Sequence, residues 1–112
     1  MKKIALIFSL ALAGFPVAAD VPNDYPTEAR AEFVLGCMAA NGQTPEMLQK
    51  CSCSIDVIAT LVPYEKYIQI VTVLRMQQVP GDRTASFRGA AWANAMIDEL
   101  KSAEAESTLK CF

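Results

Sequence analysis

Tyr64-Glu-Lys-Tyr-Ile-Gln-Ile-Val-Thr-Val-Leu-Arg-Met-Gln-Gln78 decides the fold class. Its centre, Tyr67 to Leu74, is rich in β-branched residues and on composition alone reads as a buried strand. Three features favour a helix. The run is long, Tyr64, Tyr67, Ile68, Val71, Leu74 and Gln78 share one helical face, and no second strand-like segment could pair with it. A helix apolar on nearly all sides is expected at the centre of the molecule, covered by its neighbours.

The flanks read the same way. Upstream, Thr44-Pro45-Glu46 restarts a helix, with Thr44 as N-cap and Pro45 in the first turn, where its missing N–H costs nothing. That helix runs through Met47, Leu48, Cys51, Ile55 and Ile58 to about Leu61, and Pro63 ends it. Before it, Ala31, Val34, Leu35, Met38 and Ala39 recur at helical spacing between Thr27 and Asn41, and Asn41-Gly42 is a C-terminal stop. Downstream, Val79-Pro80-Gly81-Asp82 is a turn. Phe87, Ala91, Trp92, Ala95, Met96, Leu100 and Ala103 then predict a long apolar stripe ending near Cys111-Phe112. The expected fold is all-α, a small four-helix bundle.

The N-terminus reads as an export signal. Met1-Lys2-Lys3 is a short basic region, Ile4 to Phe15 is apolar apart from Ser9, and Val17-Ala18-Ala19 offers small residues for cleavage before Asp20. A membrane span needs about 20 apolar residues, and this run meets Pro16 and Asp20 first. The organisation expected is therefore a cleaved signal peptide at 1–19, an extended lead-in at 20–26 with two prolines, and one helical domain at 27–112. The short leader looks bacterial and places the product in a periplasm, with no membrane attachment after cleavage. Losing Lys2 and Lys3 takes the basic residues from 10 to 8 against 12 acids, a net charge of −4. Such a surface argues against nucleic acid and anionic lipid as partners.

Export makes Cys37, Cys51, Cys53 and Cys111 a disulfide framework. Cys51 and Cys53 are two apart, so on a helix they point about 200° from each other and each finds a separate partner more easily. A hairpin of the first two helices sets Cys37 level with Cys51, which leaves Cys53 for Cys111. Closing loops of about 15 and 59 residues would contribute roughly 3 and 4 kcal/mol. Pairing of Cys37 with Cys53 is also open to a four-cysteine chain, as is a redox role for Cys51-Ser52-Cys53. The thiols lack zinc-site spacing, and no Cys-x-x-Cys-His run exists for haem, so neither zinc nor haem is expected.

There is no histidine. This removes most acid–base and nucleophilic catalysis open to a small protein, and no enzyme class is supported. Carboxylates carry what chemistry is left. Asp24, Glu28 and Glu32 are spaced four apart along one helix edge, with Asp20 upstream. Together they are candidate ligands for a hard cation, calcium or a lanthanide. The plainer reading is that acids near a helix N-terminus complement its dipole, with Arg30 neutralising part of the row. Asp98, Glu99, Glu104 and Glu106, beside Lys101 and Lys110, read as a solvated face. Mid-helix Asp56 is either exposed or paired with Arg75 or Arg88. Met38, Met47, Met76 and Met96 are scattered core fillers, and Trp92 with Phe87 reads as a core aromatic pair.

Cys-Ser-Cys-Ser-Ile-Asp-Val-Ile-Ala at 51–59, Pro-Tyr-Glu-Lys-Tyr at 63–67 and Val-Leu-Arg-Met-Gln-Gln at 73–78 resemble a known group. It comprises small exported four-cysteine helical proteins of bacteria that oxidise alcohols with PQQ-dependent dehydrogenases, including landiscernin-like lanthanide-handling proteins. The resemblance spans residues 33–78 and Cys111-Phe112, and no metal ligand of the group maps to a position here. It implies a non-catalytic periplasmic accessory role, such as delivering a lanthanide or calcium ion to a dehydrogenase, with a protein partner. A homodimer that shares a cation site between chains is a further expectation. The competing classes are a metal-independent interaction module or small chaperone, and a thiol oxidoreductase using Cys51 and Cys53.

Overall fold

The computed structural model of the protein describes residues 24–112; the expected signal peptide and Asp20 lie outside them. Four α-helices follow in order: α1 (Thr27–Asn41), α2 (Pro45–Leu61), α3 (Tyr64–Gln78) and α4 (Ala91–Cys111), with a 3-10 turn at Asp82–Phe87 before the last. No strand occurs among the described residues, so Tyr64 to Gln78 is a helix as its length required. No single helix among them is long and apolar enough to cross a membrane.

Local chemistry sets the boundaries. The Met47 N–H donates to the Thr44 hydroxyl at 3.1 Å, which caps α2, and Pro45 occupies its first turn. α1 ends at Gly42, whose φ of 121° is the left-handed conformation glycine adopts without a side-chain penalty, and whose N–H reaches the Met38 carbonyl at 2.8 Å. Pro63 separates α2 from α3, and the two axes bend by 112°. After α3, the Arg88 guanidinium donates to the carbonyls of Val79 at 2.8 Å and Gly81 at 2.9 Å, closing the turn around Thr84. Arg88 is thus a loop clasp rather than a partner for Asp56.

The central helix is α2, not α3: both α1 and α4 pack along it, while α3 lies against α4 and the 3-10 turn. Ile55 and Ile58 of α2 join Val62, Ile70, Val73, Ala93, Ile97, Leu100 and Ala103 in the core. Only Ile70 and Val73 of α3 are fully enclosed, and Ile68 stays 44 % exposed. α3 carries apolar residues on more than one side, so periodicity did not single out the packed one. α4 differs in the same way. Its buried stripe is Ala93, Ile97, Leu100, Ala103 and Ser107, whereas Ala91, Trp92 and Ala95 face outward. On α1, Ala29, Phe33 and Val34 meet the core, and Leu35 is exposed.

The bridges are Cys37–Cys51, with Cα atoms 5.9 Å apart, and Cys53–Cys111, at 5.8 Å. One ties α1 to α2 and the other ties the end of α4 to α2. Cys51 and Cys53 are not joined to each other, and no cysteine is free.

The lead-in contributes a core residue that its sequence did not announce. Tyr25 is 4 % exposed, its ring lies 5.1 Å from that of Tyr64 and 5.0 Å from that of Tyr67, and its hydroxyl donates to the Val62 carbonyl at 2.7 Å. Burial, with smaller contributions from Tyr67, Asp24 and Tyr64, holds its pKa well above the usual tyrosine range. The folded state therefore keeps this proton more tightly than the unfolded chain does. Stability is intact below about pH 10, where an unfolded tyrosine titrates, and is lost as the pH rises beyond it.

Two outcomes follow for unfolding in denaturant. Breaking Cys53–Cys111 by double serine substitution should cost about 4 kcal/mol and breaking Cys37–Cys51 about 3, read from midpoint and slope. Tyr25→Phe should lose about 1 kcal/mol at pH 7 through the missing hydrogen bond, and its melting temperature should fall less between pH 9 and 11 than that of the wild type.

Candidate functional site

Of the expected carboxylate row, Asp20 lies outside the described residues, and Asp24, Glu28 and Glu32 are not brought together as a metal-binding group. Asp24 accepts from the Tyr64 N–H at 3.4 Å, at the start of α3. Glu32 pairs with Arg75 across to α3. Glu28 stands exposed on α1 with no ion pair among the described residues. Arg30 does not serve this row: it reaches Asp56 at 2.6 Å and the Tyr25 carbonyl at 3.3 Å. Asp56 therefore has Arg30 as partner, not Arg75 or Arg88, and stays largely exposed. Among the described residues no three His, Cys, Asp or Glu side chains come together as a metal-binding group.

The second acidic group divides too. Glu99 pairs with Lys66 at 2.6 Å and Glu106 with Lys110 at 2.9 Å. Glu104 has no ion pair among the described residues and lines a groove instead. Trp92 packs edge-on against Phe87 with centroids 5.8 Å apart; Phe87 rests against the core, whereas Trp92 is 52 % exposed and stands at the surface.

That groove has a volume of about 600 Å³. α1 supplies Glu32, Phe33, Gly36 and Ala40; α3 supplies Tyr67, Val71 and Arg75; α4 supplies Glu104, and the C-terminal Phe112 closes one side. Ser54 of α2 also lines it. The spacing explains the walls: Glu32, Gly36 and Ala40 are four apart on α1, as are Tyr67, Val71 and Arg75 on α3, so each set forms one helical row.

Its polar groups differ in how far they are satisfied. Ser107 and Thr108 donate to the Glu104 carbonyl at 2.7 and 2.9 Å, and the Asn41 amide donates to the Cys37 carbonyl at 2.9 Å. The hydroxyls of Ser54 and Tyr67 make no hydrogen bond among the described residues; no buried side-chain oxygen or nitrogen there lacks a partner, so the Ser54 oxygen is open to the groove although the residue as a whole is only 4 % exposed. Desolvation raises the Glu104 carboxyl above the usual carboxylate range, against the pull of Lys101. Tyr67 is raised first by burial and then by the carboxylates of Glu32 and Glu104, with Arg75 opposing.

Gly36 is the least expected member. A glycine inside a helix costs about 1 kcal/mol relative to alanine. Here a Cβ would meet nothing within 4 Å, so no neighbour in the chain requires its absence. No sequence pattern joins Gly36, Ser54 and Tyr67; Glu104 is exposed, as its acidic surroundings predict, and lines the groove as well. The one signal available was a glycine four residues after Glu32, in the middle of a helix.

No protein-family model, no curated protein and no solved structure matches the chain.

The raised Glu104 carboxyl has a signed consequence. The folded state holds this proton more tightly than the unfolded chain, so the favourable contribution exists at acid pH and disappears as the pH rises through the folded value. Because Glu104 is exposed, the effect is small: Glu104→Gln should raise the melting temperature at pH 7 slightly, and the gain should shrink toward pH 4. Melting curves across that range check it.

Proposed function

We propose that the chain is a non-catalytic accessory protein of the bacterial periplasm that binds a ligand in the groove between α1, α3 and α4. The observation that carries this reading is a pocket of about 600 Å³ between the helices, lined by aromatic and apolar side chains, onto which the Ser54 hydroxyl opens and beside which Gly36 has no side chain to occupy the space. Pockets of this volume suit small organic ligands. The absence of histidine and the pairing of every cysteine support binding rather than catalysis or thiol exchange.

The groove is preferred over a hard-cation site on α1. Calcium and lanthanide sites use six or more oxygens, whereas Asp24 and Glu32 are turned to other partners. The likeness to exported four-cysteine proteins of alcohol-oxidising bacteria agrees with an accessory role. A protein partner belongs to that role, and half-exposed Trp92 favours one.

Nile red, a neutral dye that brightens in apolar surroundings, tests the groove. Its emission should rise and shift to the blue with the oxidised wild type, and Gly36→Leu should reduce the rise several-fold while far-UV circular dichroism stays unchanged. Equal emission from both proteins would sink the reading. A melting rise specific to lanthanum or calcium, untouched by Gly36→Leu, would restore the cation reading instead.

A further inference from the structure

The groove's charge and lining select among ligands. Its walls are apolar and aromatic, with Phe33, Val71, Phe112 and the ring of Tyr67. Its charged groups are two carboxylates and one guanidinium, and the guanidinium of Arg75 is committed to Glu32. Glu104, an exposed member of the lining, makes no ion pair among the described residues and interacts at longer range with Lys101, one turn earlier on α4, and with Tyr67. Lys50 lies over the Phe112 ring at 5.5 Å, but it is held by Glu46 at 2.8 Å. Aromatic faces beside a lone carboxylate favour a cation with an apolar body and disfavour an anion.

Resting on the groove as the binding site, we infer that its ligands are hydrophobic amines, small molecules with an aromatic or aliphatic body and a protonated nitrogen. The body packs between Phe33, Val71 and Phe112. The nitrogen meets Glu104, whose charge it compensates. Ser54 and Tyr67 offer hydroxyls that the fold leaves unused, and each can accept an N–H. Gly36 keeps the space between α1 and α3 clear for the body.

A matched series isolates the charge. Calorimetric titration of 4-phenylbutylamine, 4-phenylbutanol and 4-phenylbutyrate into the oxidised protein keeps the body constant and changes only the head group. The amine should bind at least about tenfold more tightly than the alcohol, the scale of one charge-assisted hydrogen bond, and the carboxylate should be weakest. Glu104→Gln should reduce amine affinity by about the same factor and leave the alcohol unchanged. Gly36→Leu, and independently Ala40→Leu one turn on, should abolish binding of all three, with Gly36→Ala as a folded control. Alcohol or carboxylate binding as tight as the amine, still blocked by Gly36→Leu, would overturn the amine inference and leave the groove reading standing. No binding by any of the three, or binding indifferent to both blocking variants, would overturn the two together.

Discussion

Cys51 and Cys53 leave α2 in nearly opposite directions, and the arrangement of the other helices hangs on that divergence. An α-helix turns about 100° per residue, so side chains two apart diverge by about 200°. One sulfur therefore reaches α1 through Cys37, and the other reaches the end of α4 through Cys111. α2 becomes the axis with a neighbour fixed on either side. In a chain this short the apolar core is modest, and two cross-links of this kind are comparable with the whole net stability expected of a small domain.

The groove is a consequence of the same constraint. With α1 and α4 clamped to α2, α3 leaves through the 112° bend at Pro63 and packs against α4. Glu32 and Arg75 link α1 and α3 by a surface ion pair, and the space inward is lined by Ser54 from α2 and Glu104 from α4. A pair between side chains as exposed as these contributes little to stability. It places charge at the groove while leaving the interior to aromatic rings and unused hydroxyls.

Helix positions were legible because their signals are local. Thr44-Pro45, Asn41-Gly42, Pro63 and Pro80-Gly81 act on their own backbone, and the helices start and stop where those residues dictate. Which face of each helix is buried was less legible. On α4 alanines fall at 91, 93, 95, 103 and 105, so Ala91 and Ala95 resemble Ala93 and Ala103 in sequence and differ only in what lies opposite. The ion pairs were misassigned for a similar reason. Arg30 meets Asp56 across the bridged helices α1 and α2, and Arg75 meets Glu32 where α3 comes alongside α1, and both meetings depend on how the helices are rotated about one another.

By itself, the sequence determined the helical class, the element boundaries and the separate pairing expected of Cys51 and Cys53, since each follows from backbone chemistry within a few residues. It also marked the chain for an oxidising compartment through its cysteines. Only the tertiary structure decided that α2 rather than α3 is central, that Tyr25 belongs to the core, and that Gly36, Ser54, Tyr67 and Glu104 share one groove. The physical reason is distance along the chain. These four residues sit on four different helices, and no local pattern carries the information that the helices meet.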